Sequence, residues 1–305
     1  MVGKDLIMAT LFGSGGGSSG SGGGGGGWPE VPDDGATYVF ITLQEGRTSP
    51  QLGVCVNGTV TVDWGDGTGN DVLTGTSTTS AKWTQNHAYA APGNYVIRLT
   101  VDGEMGFTGD SYNRACILRY ASGNDNRNVV YQSALRKVKI GNGVTSIAKN
   151  AFNNCCTLES VVIPDGVTSI GGSAFSTCYS LESVAIPDGV TSIGDSAFYR
   201  CYALESVVIP DGVTSIGGSA FSGCTTLASV TMPSSVTRIG SSAFYTCYGV
   251  AYYDFTSHVA VPALVDTTVF SGIPDDCVFL IPSALYDEWI AATNWTTYAD
   301  RCVAK

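Results

Sequence analysis

Charged residues are scarce in this sequence, and basic residues are the scarcest of them. Of 305 residues, 13% are charged, and 15 Lys and Arg stand against 26 Asp and Glu, a formal net charge of −11. Proteins that bind nucleic acid neutralise its phosphates with clustered Lys and Arg. The charge balance therefore argues against nucleic acid, and against an anionic membrane surface, as partners.

The groups that carry most enzymatic chemistry are also few. The chain has two histidines, His87 and His258, and no Gly-x-Ser-x-Gly, phosphate-loop or His-Glu-x-x-His motif. Asp63 and Asp66 could together ligate calcium, but carboxylates in a glycine-rich turn usually accept hydrogen bonds from their own backbone. We expect no enzymatic activity, no catalytic residue, no cofactor and no metal site.

The amino-terminal apolar run, Leu6 to Phe12, is too short to span a bilayer, so membrane insertion is not expected. Polyglycine follows it at once, which does not fit a signal peptide. Residues 1–12 are either a frayed terminus or an anchoring peptide whose candidate contact residues are Leu6, Ile7, Leu11 and Phe12. Residues 13–27 contain only Gly and Ser and form a flexible linker.

The strongest pattern in the chain is a period of 23 residues over 131–252. It carries a phenylalanine column, Phe152, Phe175, Phe198, Phe221 and Phe244, and a cysteine column, Cys155, Cys178, Cys201, Cys224 and Cys247. Leucine and isoleucine columns run in phase with both. A fixed period of this length indicates a solenoid, in which each repeat buries its apolar side against its neighbours.

Each repeat contains a short strand that ends at a proline and a turn. Val161 and Ile163 alternate with Val162, which predicts one buried face. The cysteines should face the interior as free thiols, because buried Cys behaves as a small hydrophobe. The outward strand positions are predicted to be small: Ser160, Ser183, Ser206 and Ser229, beside Val162, Ala185, Val208 and Thr231.

The repeat pattern, LxxVxIPxxVxxIGxxAFxxC, resembles the BspA-like class of bacterial leucine-rich repeats. The resemblance implies an adhesion module of a cell surface or of a phage particle. Residues 253–305 are predicted to form one degenerate repeat and a capping helix, with Ser283 as N-cap and Leu285, Trp289 and Ala292 as its apolar stripe.

Residues 28–108 are predicted to form a β domain, followed by a connector over 109–130. Asn57-Gly58 between two apolar runs predicts a hairpin turn. Asp63-Trp64-Gly65-Asp66-Gly67 and the later His87 to Tyr95 segment resemble the signature of polycystic-kidney-disease (PKD) domains, which implies an immunoglobulin-like sandwich. The expected fold is mainly β: this sandwich, the solenoid and a capping helix.

Differences between repeats concentrate around the cysteine column, and they give the candidate ligand surface: Tyr179, Tyr199, Arg200, Tyr202, Tyr245 and Tyr248. Exposed tyrosines suit contact with a protein or a glycan, whereas packing over the turns is the structural alternative.

The amino-terminal plan resembles accessory fibre and tail proteins of phages. The resulting hypothesis is a non-enzymatic protein on the virion surface, held to a virion structural protein by residues 1–12 and binding a host-surface protein or glycan. A bacterial cell-surface adhesin and a spacer without ligand are the alternatives, and homo-oligomerisation is left open.

Overall fold

The computed structural model describes residues 28–45, 48–107, 118–120 and 134–305. The predicted anchor residues Leu6, Ile7, Leu11 and Phe12, the Gly/Ser linker and most of the connector lie outside the described residues.

Five strands precede the repeats: β1 (Thr37–Leu43), β2 (Pro50–Asp63), β3 (Asp71–Trp83), β4 (Gly93–Phe107) and β5 (Leu118–Tyr120). Strand β2 pairs antiparallel with β3, β4 and β5, and β1 pairs antiparallel with β4. The inward positions of β1, Val39 and Ile41, join the main apolar core, while Phe40 on its other face packs edge-on against Trp28. The prediction of a PKD-like sandwich over 28–108 stays a prediction.

The hairpin predicted at Asn57-Gly58 is wrong. These residues lie inside β2, where Gly58 is opposite Gly75 on β3 and Gly103 on β4. Gly58 has φ +126° and Gly103 has φ +116°, and a Cβ on Gly58 would stand 2.2 Å from the Asp102 carbonyl oxygen. The glycines are therefore required by close approach of two paired strands, since only glycine combines positive φ with no side chain.

The repeats form the predicted solenoid, with two short strands in each regular coil. The strands are β6 (Leu135–Lys139), β7 (Val144–Ile147), β8 (Ser160–Val162), β9 (Ser169–Ile170), β10 (Ser183–Ala185), β11 (Ser192–Ile193), β12 (Ser206–Val208), β13 (Ser215–Ile216), β14 (Ser229–Thr231), β15 (Arg238–Ile239), β16 (Tyr252–Asp254), β17 (Ala263–Leu264), β18 (Val278–Ile281) and β19 (Cys302–Ala304).

Equivalent strands of successive coils stack in parallel. One stack runs β6-β8-β10-β12 and continues as a separate sheet, β14-β16-β18-β19, while the other runs β7-β9-β11-β13-β15-β17. Register follows the repeat, as in Ser183 opposite Ser206 and Ile193 opposite Ile216. Identical side chains therefore lie above one another, which is why the sequence shows columns.

The third side of each coil is a run of tight turns. Ser173 and Thr177 adopt left-handed conformations, with φ +55° and +61°. Amide groups in this run donate to carbonyl oxygens of the next coil. Phe175 N donates to the Ala197 carbonyl oxygen at 2.8 Å, and Thr177 N donates to the Tyr199 carbonyl oxygen at 2.7 Å. The turn side is thus held by inter-repeat hydrogen bonds as the strand sides are, and it forms a rigid surface.

Strands β1 and β4 close the first end of the solenoid. Strand β1 pairs antiparallel with β6, and β4 pairs parallel with β7, so the two stacks join into one sheet through β1 and β4. The open edges of the first coil are therefore covered by partners, as an exposed sheet edge requires.

The other end is covered by the predicted helix, α1 (Tyr286–Ala291), between 3₁₀ segments Ser283–Leu285 and Trp295–Arg301. Trp289, Trp295 and Tyr298 are buried there, and the Trp295 indole donates to the Pro262 carbonyl oxygen at 2.8 Å. Ser283 is not the N-cap: its hydroxyl donates to the Lys305 carbonyl oxygen, because the chain end returns as β19 beside β18.

Within the described residues, no helix has the length and apolar character needed to cross a membrane.

Candidate binding surface on the turn side

The turn side is positioned by the phenylalanine and cysteine columns beneath it. Consecutive phenylalanine rings from Phe152 to Phe244 stack with centroids 5.2–5.3 Å apart and planes within 2–8° of parallel. Each later column cysteine donates its thiol to the phenylalanine carbonyl oxygen of the preceding coil, as Cys201 does to Phe175 at 3.2 Å. Both columns are fully buried, as predicted.

Residues that follow these buried positions face outward, and four of the predicted tyrosines are exposed there. The exposed fractions are 38% for Tyr179, 39% for Tyr202, 45% for Tyr245 and 61% for Tyr248. The Tyr179 and Tyr202 rings stack with centroids 5.0 Å apart and planes within 13°. Partial burial raises the pKa of the Tyr179 phenol. Packing over the turns therefore leaves much of these rings accessible.

Arg200 and Tyr199 form a second pair beside the stack. The Arg200 guanidinium carbon lies 5.0 Å from the centroid of the half-buried Tyr199 ring, a cation–π contact. Arg200 has φ +57° and its Cγ lies against Gly223 of the next coil, where a Cβ would approach to 3.3 Å. The small residue at 223 thus leaves room for the arginine stem.

One feature of this surface was missed from the sequence, although its signal was present there. At the places held by Tyr199, Arg200 and Tyr202 in one coil, the next coil has Ser222, Gly223 and Thr225. The coil after that restores tyrosine at 245 and 248. The interruption is visible in the column formed by positions 179, 202, 225 and 248, which is tyrosine except at Thr225.

The strand side is less uniform than predicted. Ser206 and Val208 are exposed and Ser183 and Ala185 are half-buried, but Ser160 is buried, with 1% of its surface exposed. The prediction of an exposed Ser160 is therefore wrong. Side chains on this side remain small, so the strand side offers few groups for tight binding.

The side chains of Asp63, Asp66 and His87, considered from the sequence for calcium binding or catalysis, make hydrogen bonds or ring contacts within the protein. Asp63 accepts from the Gly65 amide at 2.9 Å, and Asp66 accepts from the Thr68 amide and hydroxyl. Asp66 also contacts His87 Nε2 at 2.7 Å, and the His87 ring stacks on Trp64. Among the residues that the structure describes, no three His, Cys, Asp or Glu side chains are grouped as metal ligands.

Residues 126–258 match the BspA type leucine-rich repeat region, in six copies. The solenoid of this chain is therefore similar to BspA-type leucine-rich repeats. Scaffolds of this kind typically bind partners on an extended surface rather than catalyse reactions. A comparison with curated proteins gives no match.

Three solved structures are similar to this chain. A leucine-rich repeat protein of T. pallidum is 24% identical with TM-score 0.42, over 61% of this chain and 86% of that chain. A leucine-rich cell surface protein of Faecalibacterium prausnitzii is 24% identical with TM-score 0.37, over 61% and 73%. The pneumococcal vaccine antigen PcpA is 14% identical with TM-score 0.37, over 68% and 47%. At these values none of the three indicates what this chain binds.

Proposed function

We propose that this chain is a non-enzymatic binding protein that attaches to a cell surface through the turn side of its repeats. The observation that carries the proposal is the group of four tyrosines, Tyr179, Tyr202, Tyr245 and Tyr248, which are 38–61% exposed on a backbone held by inter-repeat hydrogen bonds. Tyrosine gives a large contact area at low entropic cost because it has two side-chain torsions.

In its finer form the proposal is display on a virion. Residues 1–12 would hold a virion structural protein, residues 13–27 would act as a tether, and the repeats would face a host-surface protein or glycan. Support comes from composition: an apolar peptide, then a run of only Gly and Ser, then the folded part. The BspA-type repeat match supports a second candidate, an adhesin of the bacterial cell surface.

Removing residues 1–27 separates the tether from the binding surface. The shortened chain should fold, because strands β1–β19 are retained, and should still bind cells. It should lose incorporation into virions if residues 1–12 are the anchor, as measured by immunoblotting of purified particles. Normal incorporation of the shortened chain would exclude the anchor.

The binding surface is tested by replacing Tyr179, Tyr202, Tyr245 and Tyr248 together with Ala. Fluorescently labelled chain is incubated with a panel of bacterial cells and counted by flow cytometry. The variant should lose at least tenfold in binding, whereas Thr168→Ala, Thr191→Ala and Thr214→Ala, exposed positions beside the other strand stack, should change little. If the wild-type chain binds no cells, the spacer alternative is favoured. If the fourfold tyrosine variant binds cells as well as the threonine control variants do, the turn side is excluded as the binding surface.

A further inference from the structure

The tyrosine column is interrupted at Thr225, between Tyr202 and Tyr248. Tyr179 and Tyr202 occupy the same place in consecutive coils and stack within 13° of parallel, so their ring faces point along the solenoid axis. Tyr179 covers one face of Tyr202. On the other side the next coil has Thr225, whose side chain is too short to cover the second face. Tyr248 stands at this place one coil further on.

The spacing of this notch suits one ring. Stacked strands lie about 4.8 Å apart, so places two coils apart are separated by about 10 Å. A ring held midway would lie about 5 Å from each tyrosine, within the range of stacked ring centroids. The two walls are accessible, with 39% of Tyr202 and 61% of Tyr248 exposed. We define the notch by Tyr202, Thr225, Thr226 and Tyr248.

The floor of the notch is polar. Thr226 donates its hydroxyl hydrogen to the Tyr202 carbonyl oxygen at 2.7 Å, and Thr225 donates to the same oxygen at 3.4 Å. Each hydroxyl oxygen retains lone pairs that can accept a hydrogen bond. A ligand between these coils has the uncovered face of Tyr202 on one side, the exposed Tyr248 side chain on the other, and the threonine hydroxyl groups as acceptors.

We propose that the notch binds one neutral pyranose ring of a cell-surface glycan, an inference that rests on the proposed function and names its ligand. A pyranose has C–H groups on its faces and hydroxyl groups around its rim, so its faces match the aromatic walls and its rim matches the threonine floor. Its C–H groups are weakly positive and are attracted to the negative face of an aromatic ring.

Two observations favour a neutral sugar over other occupants. The chain has a net charge of −11, which repels acidic polymers at long range. A protein partner would need a wide contact with several buried anchors, but at the turn side the coil between Tyr202 and Tyr248 has Ser222 and Gly223 buried and presents the small side chains of Thr225 and Thr226. A single ring needs only the notch.

The test fills the notch without removing any tyrosine. Thr225→Tyr continues the stack from Tyr179 to Tyr248 and should displace the sugar, while Thr214→Tyr adds a tyrosine at an exposed place elsewhere on the same coil. The probes are the methyl glycosides of glucose, galactose, mannose and N-acetylglucosamine, with sialic acid as an anionic comparison. Binding to the full chain is measured by saturation-transfer NMR and titration calorimetry.

At least one neutral glycoside should bind the wild type and Thr214→Tyr with equal affinity. The same glycoside should bind Thr225→Tyr with at least tenfold lower affinity. Tyr202→Ala and Tyr248→Ala should weaken it similarly, which keeps the proposal testable if Thr225→Tyr does not fold. Binding by sialic acid alone, binding unaffected by Thr225→Tyr, or no binding of any neutral glycoside would overturn the notch proposal.

Failure of the notch remains distinguishable from failure of the proposed function. If Thr225→Tyr binds cells as well as the wild type while the fourfold alanine variant does not, the tyrosine surface is an adhesive surface but the notch is not its sugar site.

Discussion

The Cys201 thiol donates a hydrogen bond to the Phe175 carbonyl oxygen, 26 residues earlier in the chain and one coil away. Cys178, Cys224 and Cys247 make the same bond to Phe152, Phe198 and Phe221. A buried backbone carbonyl oxygen needs a donor, and at these places the cysteine thiol also supplies a donor. The cysteine column is therefore both apolar filling and a set of inter-repeat bonds.

This arrangement predicts inert thiols. Burial raises the pKa of the Cys201 thiol well above its usual range, and that of Cys247 to about 12. At pH 8 the column cysteines should hold almost no thiolate, which is the reactive form. Iodoacetamide should leave them unlabelled in the folded chain and label all five in urea without reductant, as read by peptide mass spectrometry. Disulfides among them would contradict the buried-thiol interpretation.

Phe198→Ala should cost about 3–5 kcal/mol of folding free energy. The Phe198 ring is fully buried and stacks on Phe175 and Phe221, so the truncation leaves a cavity in the middle of the column. Urea unfolding followed by circular dichroism gives the free energy. Tyr245→Ala, at a 45% exposed position of the turn side, is the control and should cost below about 1 kcal/mol. A similar loss for both would show that the column is not the core.

His258 predicts loss of stability at mildly acidic pH. Its ring is buried between Phe255 and Trp289, Nε2 lies 3.3 Å from the Val236 carbonyl oxygen, and within the described residues Nδ1 has no hydrogen-bond partner. Burial lowers the pKa of His258 in the folded chain. The unfolded chain then binds the proton more readily, so stability should fall as pH falls through about 6.5 and below.

The measurement is the urea midpoint between pH 8 and pH 5. His258→Gln replaces the imidazole with a side-chain amide, which retains an N–H donor but has no titratable group. This variant should flatten the dependence of the urea midpoint on pH. Asp34 does not titrate between pH 8 and pH 5, because hydrogen bonds donated by Arg98 lower the pKa of its carboxyl group to about 2. An unchanged slope in His258→Gln would assign the pH dependence to other groups.

The solenoid core could be predicted from sequence because each coil repeats the direction of every side chain. The period therefore predicts that Phe152 and its equivalents, with the cysteine column, lie in the interior, and both columns are buried. The candidate tyrosines followed from the same columns. The helix near the carboxyl end is predicted by its local pattern, in which Trp289 belongs to an apolar stripe. The structure has a helix there, Tyr286–Ala291, with Trp289 buried.

The long-range pairings could not be predicted in this way. Nothing local in β1 indicates that Phe40 lies opposite Lys137 of the first repeat, since one strand pattern fits many partners. Asn57-Gly58 has a strong preference for a hairpin, but pairing of β2 with strands on both sides overrides it. The notch is not predicted by the tyrosines alone, because it depends on the small residue Thr225 between Tyr202 and Tyr248.

The glycine row across β3, β2 and β4 gives the last prediction. Gly58→Ala places a methyl group 2.2 Å from the Asp102 carbonyl oxygen at φ +126°, and Gly103→Ala places one 2.3 Å from the Asn57 carbonyl oxygen. Each should cost roughly 3 kcal/mol or more, because backbone strain adds to displacement of a paired strand. Gly67→Ala is the matched control: its φ is +79° and nothing lies within 4 Å, so about 1 kcal/mol of strain remains. Urea unfolding should therefore rank Gly58→Ala and Gly103→Ala well below Gly67→Ala in stability. Equal costs for the three would mean that β2 and β4 do not approach as closely as their register requires.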